Sequence, residues 1–206
     1  MDVNRLICAQ SRRFGLEQVE AFRGIEVVRA FAREARIADR LYAIDRGEII
    51  FQGQDVSNAS VTQRVKAGIA RSFQLVNLFD DLSVLDNVAL AIFAREGKTS
   101  RLFSLADRDA AVTREAAELL REFRLSDKAN GPARDLAQGE RKLLDVAVAY
   151  ALRPKLLFLD EPTSGVSTRD KTQIMDTVSA VVRGGGITAV VIEHDMDVVF
   201  KYSDRV

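Results

Sequence analysis

Lys155-Leu156-Leu157-Phe158-Leu159-Asp160-Glu161-Pro162-Thr163-Ser164-Gly165-Val166-Ser167 is the stretch on which the fold turns. Four consecutive apolar residues run into two adjacent carboxylates, then into a turn marked by Pro162 and Gly165. A short apolar run bounded by turn signals predicts a strand buried on both faces, as in a parallel sheet. Ligands of open α/β sheets sit beyond the carboxyl ends of the strands, where Asp160 and Glu161 emerge. An acid there can hold Mg²⁺ on a nucleotide phosphate while its neighbour acts on a water. A solvated strand end would carry the same two residues, so the flanking sequence has to separate the alternatives.

On the C-terminal side, Thr168 or Ser167 can cap a helix whose Ile174, Val178 and Val181 form one face. Gly184, Gly185 and Gly186 then release the chain into Ile187 to Ile192, predicted as a second buried strand, which ends in Glu193-His194-Asp195. His194 stands one strand beyond the acid pair; a packing or capping histidine would fit the same place.

On the N-terminal side, Leu136-Ala137-Gln138-Gly139-Glu140 feeds a helix predicted over Arg141 to Leu152, apolar on most sides. A Gly-containing turn at a helix start points free N–H groups at whatever anion approaches. Ser83 is an N-cap for Val84 to Phe93, and Asp107 begins a helix running to about Phe123, so the insertion between strands is helical throughout. Within it, Gly97-Lys98-Thr99 has the form of a P-loop tail, but position 92 is Ile92 where Gly is required, and the tripeptide follows a helix; it reads as a solvated loop. Earlier still come a strand over Glu48 to Phe51, a turn around Gly53 and Asp55, a short helix over Ser60 to Lys66, and a strand over Gly68 to Phe73 ending at Gln74. From Leu16 to Ile44 apolar residues recur at helical spacing, with Gly24 as an interruption.

Composition narrows the class. The 206 residues carry 30 basic and 30 acidic side chains, so no global field draws the chain to nucleic acid or to an anionic membrane surface. One cysteine, Cys8, excludes an intramolecular disulfide framework and fits a reducing compartment. No apolar stretch has the length of a membrane span and no signal-peptide pattern opens the chain, so a soluble or peripheral protein is expected.

Taken together, LAQGERKLLDVAVAYALRPKLLFLDEP, the segment Gly68 to Gln74 and the placement of His194 resemble the ATPases of ATP-binding cassette (ABC) transporters, of the branched-chain amino-acid importer type, over about Gly47 to Val206. The resemblance implies that Asp160 orients Mg²⁺, that Glu161 polarises the attacking water, that the Gln74 amide reaches the metal and that His194 contacts the γ-phosphate. It also implies that Leu136, Ala137, Gln138, Gly139 and Glu140 form the signature segment, usually LSGGQ, which meets ATP held by the opposite subunit. Leu136 and Gly139 match that form; Ala137, Gln138 and Glu140 depart, and Ala137 removes a hydroxyl donor. Ser167 stands where the family usually has Asp or a close polar substitute. Gly24 to Arg40, GIEVVRAFAREARIADR, resembles instead a cytoplasmic segment of the membrane domain of ABC exporters.

The expected fold is therefore α/β: an incomplete P-loop NTPase-like parallel sheet with an inserted helical subdomain, preceded by an amphipathic N-terminal helix. Residues 1–45 form the helical segment and 46–206 a partial ATPase domain, with the helical subdomain at about 78–153. No G-x-x-x-x-G-K-[ST] occurs in the 206 residues, nor an aromatic clearly placed to stack on adenine. In the family both precede the Gly47 strand and further strands follow Val206, so the sequence reads as truncated. ATP and Mg²⁺ are the implied cofactors. The implied partners are a second ABC ATPase subunit and membrane permease subunits, with no nucleic acid, and the implied location is the cytoplasm, peripheral on the inner face of the cell membrane. The activity implied is ATP hydrolysis coupled to import of branched-chain amino acids; a chain that only donates the signature face to an intact partner ATPase is the alternative.

Overall fold

Local turn chemistry sets the first elements. The computed structural model describes residues 48–72, 78–97 and 109–205. Strands β1 (Ile50–Phe51) and β2 (Gln54–Asp55) pair antiparallel. Gln52 and Gly53 between them both take positive φ, 50° and 78°, the geometry that reverses a chain in two residues. The turn closes early, so β1 is shorter than the predicted Glu48 to Phe51. Helix α1 (Val61–Ala67) opens with a reciprocal cap: the Gln63 N–H donates to the Ser60 hydroxyl, and the Ser60 N–H donates to the Gln63 amide oxygen. Gly68, at φ 102°, closes α1 in the left-handed region. It is thus a helix cap, and the strand that follows, β3 (Ile69–Arg71), is shorter than the predicted Gly68 to Phe73.

Three parallel strands carry the rest, in the order β3, β4 (Leu156–Asp160), β5 (Thr188–Ile192). Arg71 stands opposite Phe158, and Phe158 opposite Val190, so one set of alternating residues shares each face. Ala70, Leu157 and Leu159 point into the main apolar core, with Ala189 and Val191 packed against it. On the other face Val190 is 39% and Ile192 46% exposed. The prediction of a second strand buried on both faces is therefore corrected for β5, which among the described residues pairs with β4 alone; β4 itself alternates between buried and half-buried residues. A period of two sends every second residue of β5 to the less covered side.

The core itself is mainly helical. Ser83 caps α2 (Val84–Arg95) by accepting from the Asp86 N–H. Asp109 caps α3 (Ala110–Glu122), two residues later than the Asp107 start expected from sequence. Helix α4 (Gln138–Ala151) packs across both, and Phe123, fully buried at the end of α3, meets the Tyr150 ring edge-on at 5.8 Å between centroids. Ser167, the nearer of the two candidate caps, accepts from the Asp170 N–H and opens α5 (Thr168–Gly184); α6 (Met196–Tyr202) follows β5. Among the described residues no helix is long and apolar enough to cross a membrane. The amphipathic segment of residues 1–45, Gln74, Lys98 and Thr99 lie outside the described residues.

A charged clasp ties the helices together. The Arg95 guanidinium donates to both Glu115 oxygens at 2.8 Å and to the Ala151 carbonyl at 2.9 Å, and Arg153 donates to Glu115 at 2.9 Å. The Arg95 hydrogen bonds, against the opposing effect of burial, hold the Glu115 carboxyl below its usual range. A depressed carboxylate stabilises the fold above its unfolded pKa, about 4.3, and loses that contribution as pH falls through the folded value. Glu115→Gln should thus cost about 1 kcal/mol near neutrality, allowing for solvent screening. Thermal melts of the two proteins should converge below about pH 4.

Candidate functional site

The acid pair sits where β4 ends. Asp160 is its last residue, and its carboxylate accepts from the Arg71 guanidinium at the end of the neighbouring β3. Glu161 has φ 47°, a conformation side chains other than glycine rarely take, which turns the chain sharply out of the strand. Its N–H donates to the Ile192 carbonyl at 2.9 Å, so the turn remains tied to the end of β5.

That strained turn is held from two sides. Behind it, Lys142 of α4, a buried cation, donates to the Glu161 carbonyl at 3.3 Å and to the Ser164 hydroxyl at 3.4 Å. Beside it, Glu193 accepts from the N–H and hydroxyl of buried Thr163, at 2.9 and 2.5 Å, while its second oxygen accepts from the His194 N–H at 3.2 Å. His194 consequently lies over the turn, its Nε2 3.3 Å from Glu161 Oε1, with the imidazole largely exposed. The segment after it is anchored by Lys171, which donates to Asp195 at 2.8 Å and holds that carboxyl below its usual range.

The 136–140 segment forms the opening of α4. The helix begins at Gln138, not at Arg141 as predicted, so Gln138, Gly139 and Glu140 make its first turn. Ala137 in the cap position offers no side-chain acceptor, but Glu140 reaches back to accept from the Ala137 N–H at 2.8 Å. This half of a capping box gives Glu140 a structural role. Leu136 is buried in the core. The Gln138 amide lies against Gly165, which has φ 77°; a Cβ there would come within 2.5 Å of Gln138 Nε2. Gly165 therefore lets the helix opening rest on the turn that follows Glu161.

The structure thus brings Glu161 and His194 together, sets Asp160 against Arg71, and backs the turn with α4 through Lys142 and Gln138. A carboxylate beside an imidazole, at the rim of a sheet and open to solvent, can take a proton from a bound water. Arg71, Lys142, Thr163 and Glu193 hold the acid pair and its turn in place, and sequence reasoning did not single them out. Lys142 was detectable as a cation among apolar residues of α4 and Glu193 as the neighbour of His194; Arg71 needed the strand register. Among the described residues no group of three or more His, Cys, Asp or Glu is placed to hold a metal ion. Mg²⁺ requires a near-octahedral oxygen shell, and the strand-end carboxylate is already matched to a guanidinium. The described residues as arranged do not fit a divalent ion.

Residues 35–164 match the family model described as ABC transporter. A probable branched-chain amino acid transport ATP-binding protein, LivG, of Archaeoglobus fulgidus is 29% identical over 170 residues, covering 80% of this chain and 65% of that protein. The methionine import ATP-binding protein MetN 2 of Pseudomonas aeruginosa is 31% identical over 173 residues, covering 83% and 49%. This chain therefore spans between about half and two thirds of the length of these relatives. Among solved structures, a nucleotide-free ATP-binding cassette from an ABC transporter superposes with a TM-score of 0.66 at 24% identity, covering 84% of this chain and 70% of the other. That likeness establishes the shared α/β fold.

Proposed function

Because this chain belongs to the ABC transporter family, whose ATPase members bind ATP with Mg²⁺, we propose that it is an ATP-binding subunit of an importer, with a second ATPase subunit and membrane permease subunits as its partners. Branched-chain amino acids are the cargo we assign, on the similarity to LivG and on the wording around Gln74 and Glu140. Methionine import is the competing assignment, from the MetN relative. The workplace is the cytoplasmic face of the membrane. The observation that carries the reading is the Glu161–His194 pair, 3.3 Å apart on the ends of adjacent parallel strands. In this role Glu161 polarises the attacking water and His194 contacts the γ-phosphate. Gln74, and Asp160 once its carboxylate is released from Arg71, are assigned to the metal side of the nucleotide, and Leu136 to Glu140 to the signature face presented to the partner's ATP.

One observation favours a division of labour between subunits. The 206 residues contain no P-loop, while Ala137 and Gln138 at the opening of α4 are exposed. A P-loop supplies most contacts to the β- and γ-phosphates. On this reading the chain completes a site whose phosphates are gripped by another subunit. Mixing it with an intact cassette ATPase and ATP should give a heterodimer by size-exclusion light scattering. Gly139→Asp should abolish that heterodimer, because it places a carboxylate at the opening of α4, where the partner's ATP would arrive. No complex at saturating ATP would overturn the reading. The 206-residue chain alone should show no appreciable ATP turnover; hydrolysis that disappears in Glu161→Gln would contradict that expectation.

A further inference from the structure

Arg71 ends β3 directly opposite Phe158, and Asp160 lies two residues further along β4 on the same face. Two residues of strand are roughly 7 Å, within reach of an extended arginine side chain, and its terminal nitrogen does contact Asp160 Oδ2. Asp160 is largely shielded, its side chain 16% exposed, whereas the Arg71 side chain is 48% exposed. The guanidinium therefore covers the carboxylate from the solvent side. Ser72 continues the β3–β4 ladder by donating to the Phe158 carbonyl at 2.8 Å, so the strands stay paired without the side-chain bridge.

We propose that Arg71 is a tethered counter-ion for Asp160, occupying the carboxylate that a divalent cation would use and keeping the chain closed to metal in the absence of nucleotide. The planar fork of arginine suits this task, since it matches a carboxylate through directed hydrogen bonds and stays charged at every working pH. A divalent ion has to displace the guanidinium, whose half-exposed side chain borders solvent into which it can be moved. The proposal rests on Asp160 being the cation-holding acid of the proposed function.

The test is a titration of the full chain with Mn²⁺ alone, followed by the electron paramagnetic resonance signal of the free ion. Arg71→Met should bind Mn²⁺ about tenfold more tightly than the parent, on the scale of removing one partly shielded opposite charge. Arg71→Lys, which keeps the charge, should stay near the parent. Arg71→Met/Asp160→Asn should lose the gain. Arg71→Gln, polar and similar in length, serves if the methionine variant fails to fold. Unchanged affinity on removing the cation, or a gain that survives loss of Asp160, overturns the proposal. No nucleotide or partner enters this titration, so its failure is distinct from failure of ATP-dependent heterodimer formation.

Discussion

Phe123→Ala is expected to be the most damaging single substitution in the helical layer, lowering stability by about 3–5 kcal/mol. Phe123 is fully buried at the junction of α3 and its following turn, and its ring abuts Tyr150 of α4. Truncation removes the apolar transfer contribution and leaves a cavity between two helices that are pinned by the Arg95–Glu115–Arg153 clasp, so collapse into the gap is restricted. The edge-to-face ring pair, about 0.5–1.5 kcal/mol, goes with it. Urea titration should show a lower midpoint with an unchanged slope, and Phe123→Leu should recover most of the loss. A midpoint shift worth less than about 1 kcal/mol would mean that the α3–α4 junction is not part of the cooperative core.

The second large effect belongs to the site. Glu193→Ala strips the acceptor from both the N–H and the hydroxyl of Thr163, a residue only 1% exposed. Stranding buried donors costs about 1–3 kcal/mol each, more for bonds to a charged group, so a loss of about 3 kcal/mol is expected. Adding Thr163→Val should recover part of it, since the hydroxyl donor is then gone as well, and the double-mutant cycle isolates that bond. Because the chain contains a single histidine, the ring C–H resonances of His194 in a proton NMR spectrum need no assignment. They should move in Glu193→Ala, where the strap that positions the imidazole over Glu161 is cut, and stay in place in Phe123→Ala at a temperature where that variant is folded.

What was legible in the sequence was whatever local chemistry determines. Ser60, Ser83 and Ser167 announce their helices by hydroxyl, and the apolar run into Asp160 announces β4. The start of α4 was misplaced because its cap is Ala137, which carries no acceptor, and the reach of Glu140 back to the cap was not anticipated. The covering of β5 was misjudged for a different reason: Val190 and Ile192 are as apolar as Val191, and only the placement of neighbouring helices decides which face is packed. Arg71 and Asp160 are 89 positions apart. No periodicity connects them, and their contact exists only through the pairing of β3 with β4.

The chain has three tyrosines and no tryptophan, so its ultraviolet emission is tyrosine emission throughout. Tyr150 sits edge-on to Phe123 with its phenol pKa raised by burial, whereas the Tyr202 hydroxyl donates to the Asp176 carboxylate at 2.7 Å on the surface. In a Tyr42→Phe, Tyr202→Phe background the remaining fluorophore has its ring in the α3–α4 junction and its hydroxyl against Gly185 at the end of α5. Its intensity and polarisation then give a label-free optical clock for the loosening of that junction, separable in time from the melting of the sheet followed by circular dichroism.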